Sequence, residues 1–199
     1  MNEHTRIPLR RQPTQGAEGL PRWCWTVDDL DRMVEVGLLD EADRVELVEG
    51  EIVPMSPKGN RHELVRDELH NLLEQRLART VRISIELGWR PHAGAYHEPD
   101  LLLYAQGLKG PSLPPEQALL LIEVADSSLA YDLGRKAEIY AGLGVREYWV
   151  VEAHSLLTHV HRDAAGTDYT SVTKIAADAI LQPRLLPAIS LKLADLGLE

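Results

Sequence analysis

Two acidic residues in this chain raise a chemical question. Asp100 follows Pro99 in the run PDLLLY (99–104), and Glu123 interrupts the apolar run ALLLIEVA (118–125). A carboxylate in so apolar a stretch loses its hydration on burial, so it must take up a proton or meet a cation. The two runs flank QGLKGPSLPPEQ (106–117), a Gly- and Pro-rich connection that suits antiparallel strands. A hairpin folded about residues 111–112 sets Asp100 opposite Glu123, with Cβ atoms ~5 Å apart. Like charges at that spacing repel, and a divalent cation between them removes the conflict. Mg²⁺ suits such a pair because it takes oxygen ligands and keeps several waters, and Mn²⁺ is the natural substitute. The alternative is that the connection pairs differently and the acids sit apart on strand ends.

A lysine stands close by in the chain. In DLGRKAEIYAGLG (132–144) the apolar stripe is Leu133, Ala137, Tyr140 and Ala141, and Lys136 falls on or beside it. A lysine turned inward must meet a carboxylate or snorkel to water. Asp100 and Glu123 are the partners at hand, since this helix begins just after the strand at 118–125.

The elements that would position these residues follow from the patterning. Residues 26–37 predict a short helix with Thr26 as N-cap, and Gly37 suits its end. RVELVEGEIVPM (44–55) predicts a hairpin turning at Glu49-Gly50. Residues 61–79 carry a helical stripe of Leu64, Val65, Leu69, Leu72, Leu73 and Leu77. Strands are expected over 81–89, 99–105 and 118–125. A helix with Asp132 as N-cap follows over 132–142, then strands over 145–152, 156–162 and near 167–173. This order implies a mixed α/β fold with a central sheet.

Composition narrows the class. The chain has 199 residues, 44% hydrophobic and 26% charged, which suits one globular domain over 22–199 behind a flexible N-terminal arm, 1–21. No apolar run approaches the ~20 residues that span a bilayer, and the first residues lack the apolar stretch of a secretory signal, so a cytoplasmic protein is expected. Cys24, the single cysteine, excludes an internal disulfide and a thiolate zinc site. The formal net charge of −10 opposes a broad electrostatic grip on nucleic acid. It leaves room for a nuclease that concentrates carboxylates at its site. His159 and His161 share one strand face near His154 and could bind zinc, but no third ligand has suitable spacing, so a solvated edge strand is expected.

Pro99-Asp100 followed by Glu123 resembles the PD-(D/E)XK nuclease motif. That motif sets a lysine two positions after the second acid, where this chain has Ala125. In branches that move the lysine to the following helix, Lys136 fits its role. The ordered set RVELVEGEIVPMSP (44–57), RHELVRDELHNLL (61–73), EPDLLLY (98–104), LLLIEV (119–124) and DLGRKAEIYAGLGVREYWVVE (132–152) is similar to the Uma-two-type putative restriction endonuclease family. The resemblance implies a restriction-endonuclease-like mixed β-sheet flanked by helices and Mg²⁺-dependent hydrolysis of DNA phosphodiesters. It also implies a homodimer, since cutting a duplex needs two sites. It assigns Asp100 and Glu123 to the metal, Lys136 to the reacting water or transition state, and Glu46 to a third acidic position. The alternative for Glu46 is a solvated hairpin residue. His62 matches a histidine at the start of the family's first helix and stands outside this catalytic set. Asp126-Ser127-Ser128-Leu129 replaces the family's Ser-Pro-Ser-Thr run. A catalytically inactive descendant, kept for binding, is therefore the second functional expectation.

Overall fold

Thr26 starts the first helix as its side chain dictates: its Oγ1 accepts from the Asp29 N–H at 3.2 Å, and the Asp29 carboxylate accepts from the Thr26 N–H at 3.0 Å. The computed structural model describes residues 23–40 and 43–198, so the arm expected over 1–21 lies outside the described residues. In chain order the elements are α1 (Val27–Glu35), β1 (Val45–Val48), β2 (Glu51–Pro54), α2 (Asn60–Glu74), β3 (Val81–Ile85), β4 (Trp89–His92), β5 (Ala95–His97), β6 (Leu101–Ala105) and β7 (Ala118–Ala125). There follow α3 (Leu129–Tyr131), a π-helical turn (Asp132–Lys136), α4 (Ala137–Leu143), β8 (Glu147–Glu152), β9 (Thr158–Ala165) and β10 (Asp168–Ile175). A 3₁₀ turn at Leu193–Leu196 closes the described chain.

These residues fall into two compact units, one reaching to Met55 and including Arg90–His97, the other made of Ser56–Trp89 and the chain from Glu98 onward. The smaller unit is built on a sheet in the order β2-β1-β5-β4. Its β1–β2 hairpin turns at Glu49 (φ 51°) and Gly50 (φ 84°), the paired left-handed conformations that match strand twist. Gly50 is required there twice over, because a Cβ would lie 2.9 Å from the Cys24 Cβ.

The larger unit holds a six-stranded sheet in the order β10-β9-β8-β7-β6-β3. Only β7 and β8 run parallel, and the segment carrying α3 and α4 supplies the crossover that such a pair needs. Strand β7 lies inside this sheet, which explains its nearly unbroken apolar run. One face packs Leu101, Leu103, Leu120, Ile122, Val124 and Trp149 against Val65, Leu69 and Leu73 of α2, together with Leu181, Ile189 and Leu191 of the C-terminal segment. Tyr140 of α4 is buried and stacks edge-on against Tyr148 of β8, with ring centroids 5.1 Å apart.

Among the boundaries that differ from those expected, three have a clear local setting. The strand expected over 81–89 stops at Ile85, because Glu86 takes φ 46° and leaves the extended region. The helix expected to 79 ends at Glu74, and its following residues turn the chain into β3. Asp132 is not an N-cap. The helical path already starts after Ser128, whose hydroxyl donates to the Asp132 carboxylate at 2.5 Å, and Asp132 sits buried in the π turn. Among the described residues no helix is long and apolar enough to cross a membrane.

Candidate active site

The β6–β7 register fixes the acids. Leu101 pairs with Ile122, Leu102 with Leu121 and Leu103 with Leu120, so the same offset sets Asp100 opposite Glu123 at the end of the ladder. A bulge after Leu103 shifts the far end, where Tyr104 pairs with Ala118, and leaves the acidic end untouched. Both carboxylates are buried, Asp100 at 2% and Glu123 at 4% exposure. The strands also hold them by main-chain groups: Val124 N–H donates to Asp100 Oδ2 at 2.8 Å, and Asp100 N–H points at Glu123 Oε2 over a long 3.4 Å.

Each acid meets a cation of its own. Lys136, buried at the end of the π turn, sets its Nζ 2.9 Å from Glu123 Oε1. The Tyr140 hydroxyl, one helical turn on, donates to the same oxygen at 2.9 Å. Lys58 sets its Nζ 2.7 Å from Asp100 Oδ1, and His62 Nε2 lies 2.9 Å from Asp100 Oδ2. Burial alone would raise the Asp100 carboxyl, but the His62 hydrogen bond and the Lys58 charge outweigh it and hold it well below the usual carboxylate range. Burial likewise pulls Lys58 down, and Asp100 and Glu86 more than restore it.

A wider ring of charge surrounds this centre. Lys58 also holds Glu86 Oε1 at 2.5 Å, and Arg66 pairs with Glu86, Glu63 and Asp67. His62 and Arg66 stand on the inward stripe of α2 that continues as Leu69 and Leu73, so the helix that fills the core also delivers both groups to the site.

Of the four residues singled out in the sequence, Asp100, Glu123 and Lys136 meet in the larger unit. Glu46 belongs to the smaller one. There it is buried on β1, opposite Val53, with Oε1 3.8 Å from His97 Nδ1, so it is not a solvated hairpin residue. Lys58, Glu86 and Tyr140 were not foreseen as site residues. Tyr140 carried the apolar stripe and gave no sign of its hydroxyl's role. His62 carried a family signal and is in contact with Asp100.

Asp100 and Glu123 are the residues here that could hold a hard cation. Two carboxylates from adjacent strands converge, while among the described residues no group of three or more His, Cys, Asp or Glu is gathered to hold a metal. An ion here would use Asp100 and Glu123 and complete its shell with water, as Mg²⁺ does. The His159–His161 pair does not lie on the solvated edge expected for it. Strand β10 covers β9, both imidazoles are buried, His159 Nε2 lies 2.9 Å from Glu152 Oε1, and His161 packs against Tyr148 and Tyr169.

The mixed six-stranded sheet and its flanking helices make this an α/β fold. Residues 27–194 match the model of the Uma2 family, described as "Putative restriction endonuclease", and the chain belongs to that family. A crystal structure described as "a putative nuclease belonging to DUF820" from Anabaena variabilis is similar over 86% of this chain and 96% of its own, with a TM-score of 0.66 and 16% identity. At that identity the likeness speaks for the fold. No curated protein matches the chain.

Proposed function

We propose that this protein is a divalent-cation-dependent nuclease that hydrolyses phosphodiester bonds of DNA in the cytoplasm. The observation that carries this reading is the convergence of Asp100, Glu123 and Lys136 in one buried cluster of the family's fold. Asp100 and Glu123 would hold Mg²⁺, with Mn²⁺ as substitute. When bound, the ion lowers the pKa of a coordinated water and neutralises charge on the attacked phosphate.

The chain's own groups do the rest. The Val124 N–H and His62 keep Asp100 Oδ2 fixed and ionised. Tyr140 and Lys136 converge on Glu123 Oε1 and fix its carboxylate plane. The Lys136 ammonium, beside Glu123, orients the attacking water and stabilises the negative charge that grows on the phosphoryl oxygens. The family resemblance adds Glu46 to this machinery, and Glu46→Gln tests that assignment by itself. Cutting both strands of a duplex calls for two such sites, so a homodimer is the expected working form.

Plasmid nicking with Mg²⁺ or Mn²⁺ tests the proposal. The wild type cleaves, while Asp100→Ala and Lys136→Ala lose cleavage by ~10²-fold or more. Equal activity in all three would point to a contaminant or a wrong site. One observation favours a second reading. Lys58 and Lys136 already balance the two acids, as they would in an inactive fold kept for binding. Calorimetric titration with Mn²⁺ separates the two, since a scaffold shows no binding that depends on Asp100.

A further inference from the structure

We propose that Lys58 takes the place of a second cation, so that the site accepts one divalent ion rather than two. This rests on the reading of Asp100 and Glu123 as the ion's ligands and deepens it.

The ammonium sits where a metal shared by two carboxylates would sit. Lys58 Nζ bridges Asp100 Oδ1 at 2.7 Å and Glu86 Oε1 at 2.5 Å, with its side chain 11% exposed. The Asp100 separation is that of a charge-assisted hydrogen bond, and the Glu86 contact is closer still. Asp100 therefore faces two ways. Its Oδ2 is fixed by Val124 N–H and His62, and its Oδ1 is given to Lys58. A divalent ion and a fixed ammonium cannot occupy the space between the same two oxygens, because their like charges repel steeply at that range.

Glu86 shows that this arrangement is built. Its backbone takes φ 46°, a region that favours glycine, yet the position carries a carboxylate. That carboxylate is held by Lys58 and by Arg66, and its N–H donates to the Asp100 carbonyl at 3.2 Å. A strained backbone thus aims an acid at a lysine that already holds Asp100. Chemically, the tethered ammonium supplies a single positive charge and N–H donors but no metal-bound water. An ion held by Asp100 and Glu123 would be the group that supplies activated water, while Lys58 contributes only its charge and N–H donors.

The test counts Mn²⁺ ions bound per chain, by calorimetry and by electron paramagnetic resonance, in the wild type, Lys58→Met and Lys58→Gln. The glutamine variant keeps a donor while removing the charge, and circular dichroism verifies that each variant is folded. The expected wild-type count is one, lost in Glu123→Gln. Lys58→Met and Lys58→Gln bind one ion more than the wild type, and the additional ion is lost when Glu86→Gln is added. An unchanged count in both lysine variants overturns the proposal, and so does a wild type that already binds two. The wild-type count alone reports on the underlying reading. A wild type that binds none, beside variants that bind one through Glu86, retires that reading and keeps the assignment of Lys58. No binding in any of the proteins overturns both.

Discussion

Replacing Lys136 with methionine removes the ammonium and keeps most of the side-chain volume. Lys136 Nζ and Glu123 Oε1 are 2.9 Å apart, and their side chains are 8% and 5% exposed. At that separation and an effective dielectric of ~20 the attraction is about 6 kcal/mol before desolvation. Removing one partner of such a buried pair costs ~3–5 kcal/mol, because the other charge stays behind uncompensated. The Tyr140 hydroxyl still donates to Glu123 at 2.9 Å, which sets the expectation for Lys136→Met near the lower end, ~3 kcal/mol. Glu123→Gln removes the stranded charge and keeps a polar group for Tyr140, so the double variant should recover ~2 kcal/mol of that loss. Urea unfolding of the wild type, both single variants and the double variant closes the cycle. Effects that add to within ~0.5 kcal/mol would refute the claim that the ammonium and the carboxylate act on each other.

Acidification tests the buried histidine on β9. Burial, and the neighbouring His159 charge, lower the His161 pKa from 6.5 to about 4. The unfolded chain gains a proton there below pH ~6.5 while the folded chain stays neutral, so stability falls as pH drops through this window and returns as pH rises. His161→Phe should therefore flatten the unfolding profile between pH ~4 and ~6.5. A profile with the same slope in the variant would contradict that cause. Glu147 is buried at 1% and is satisfied by Arg162, the Trp149 indole and the Arg184 N–H, so Glu147→Ala should cost ~3–5 kcal/mol in urea unfolding. A loss below ~1 kcal/mol would show that Arg162 finds another partner. His62→Ala removes the leading group that keeps Asp100 ionised, so the acid limb of the pH–rate profile should move to higher pH. An unmoved limb would take His62 out of the site.

The acid pair was legible because register is arithmetic. The midpoint of the 106–117 connection predicts the offset that pairs Leu101 with Ile122, and a bulge beyond Leu103 cannot disturb the end that matters. Lys136 was legible because a charge on an apolar helical stripe demands a partner. Lys58 was not. It lies in MSPKGN, which reads as a loop, and its contact with Asp100 spans 42 residues with no periodicity to announce it. Glu86 was hidden for a related reason, since the pattern of 81–89 reads as one strand and only its left-handed backbone divides it. The His159–His161 error has a topological origin. Alternation fixes which side chains share a face, but it does not say that β10 pairs outside β9 and removes the edge. Glu46 shows the same limit, because a hairpin's pattern does not tell which of its faces is covered.

The most direct test of the account is a crystal structure of the wild type soaked with Mn²⁺, read by anomalous scattering. A single peak is expected, bound by carboxylate oxygens of Asp100 and Glu123 at ~2.1–2.2 Å and absent from the Asp100→Asn protein. Density free of any peak at saturating Mn²⁺, or a peak on other residues that survives Asp100→Asn, would contradict it.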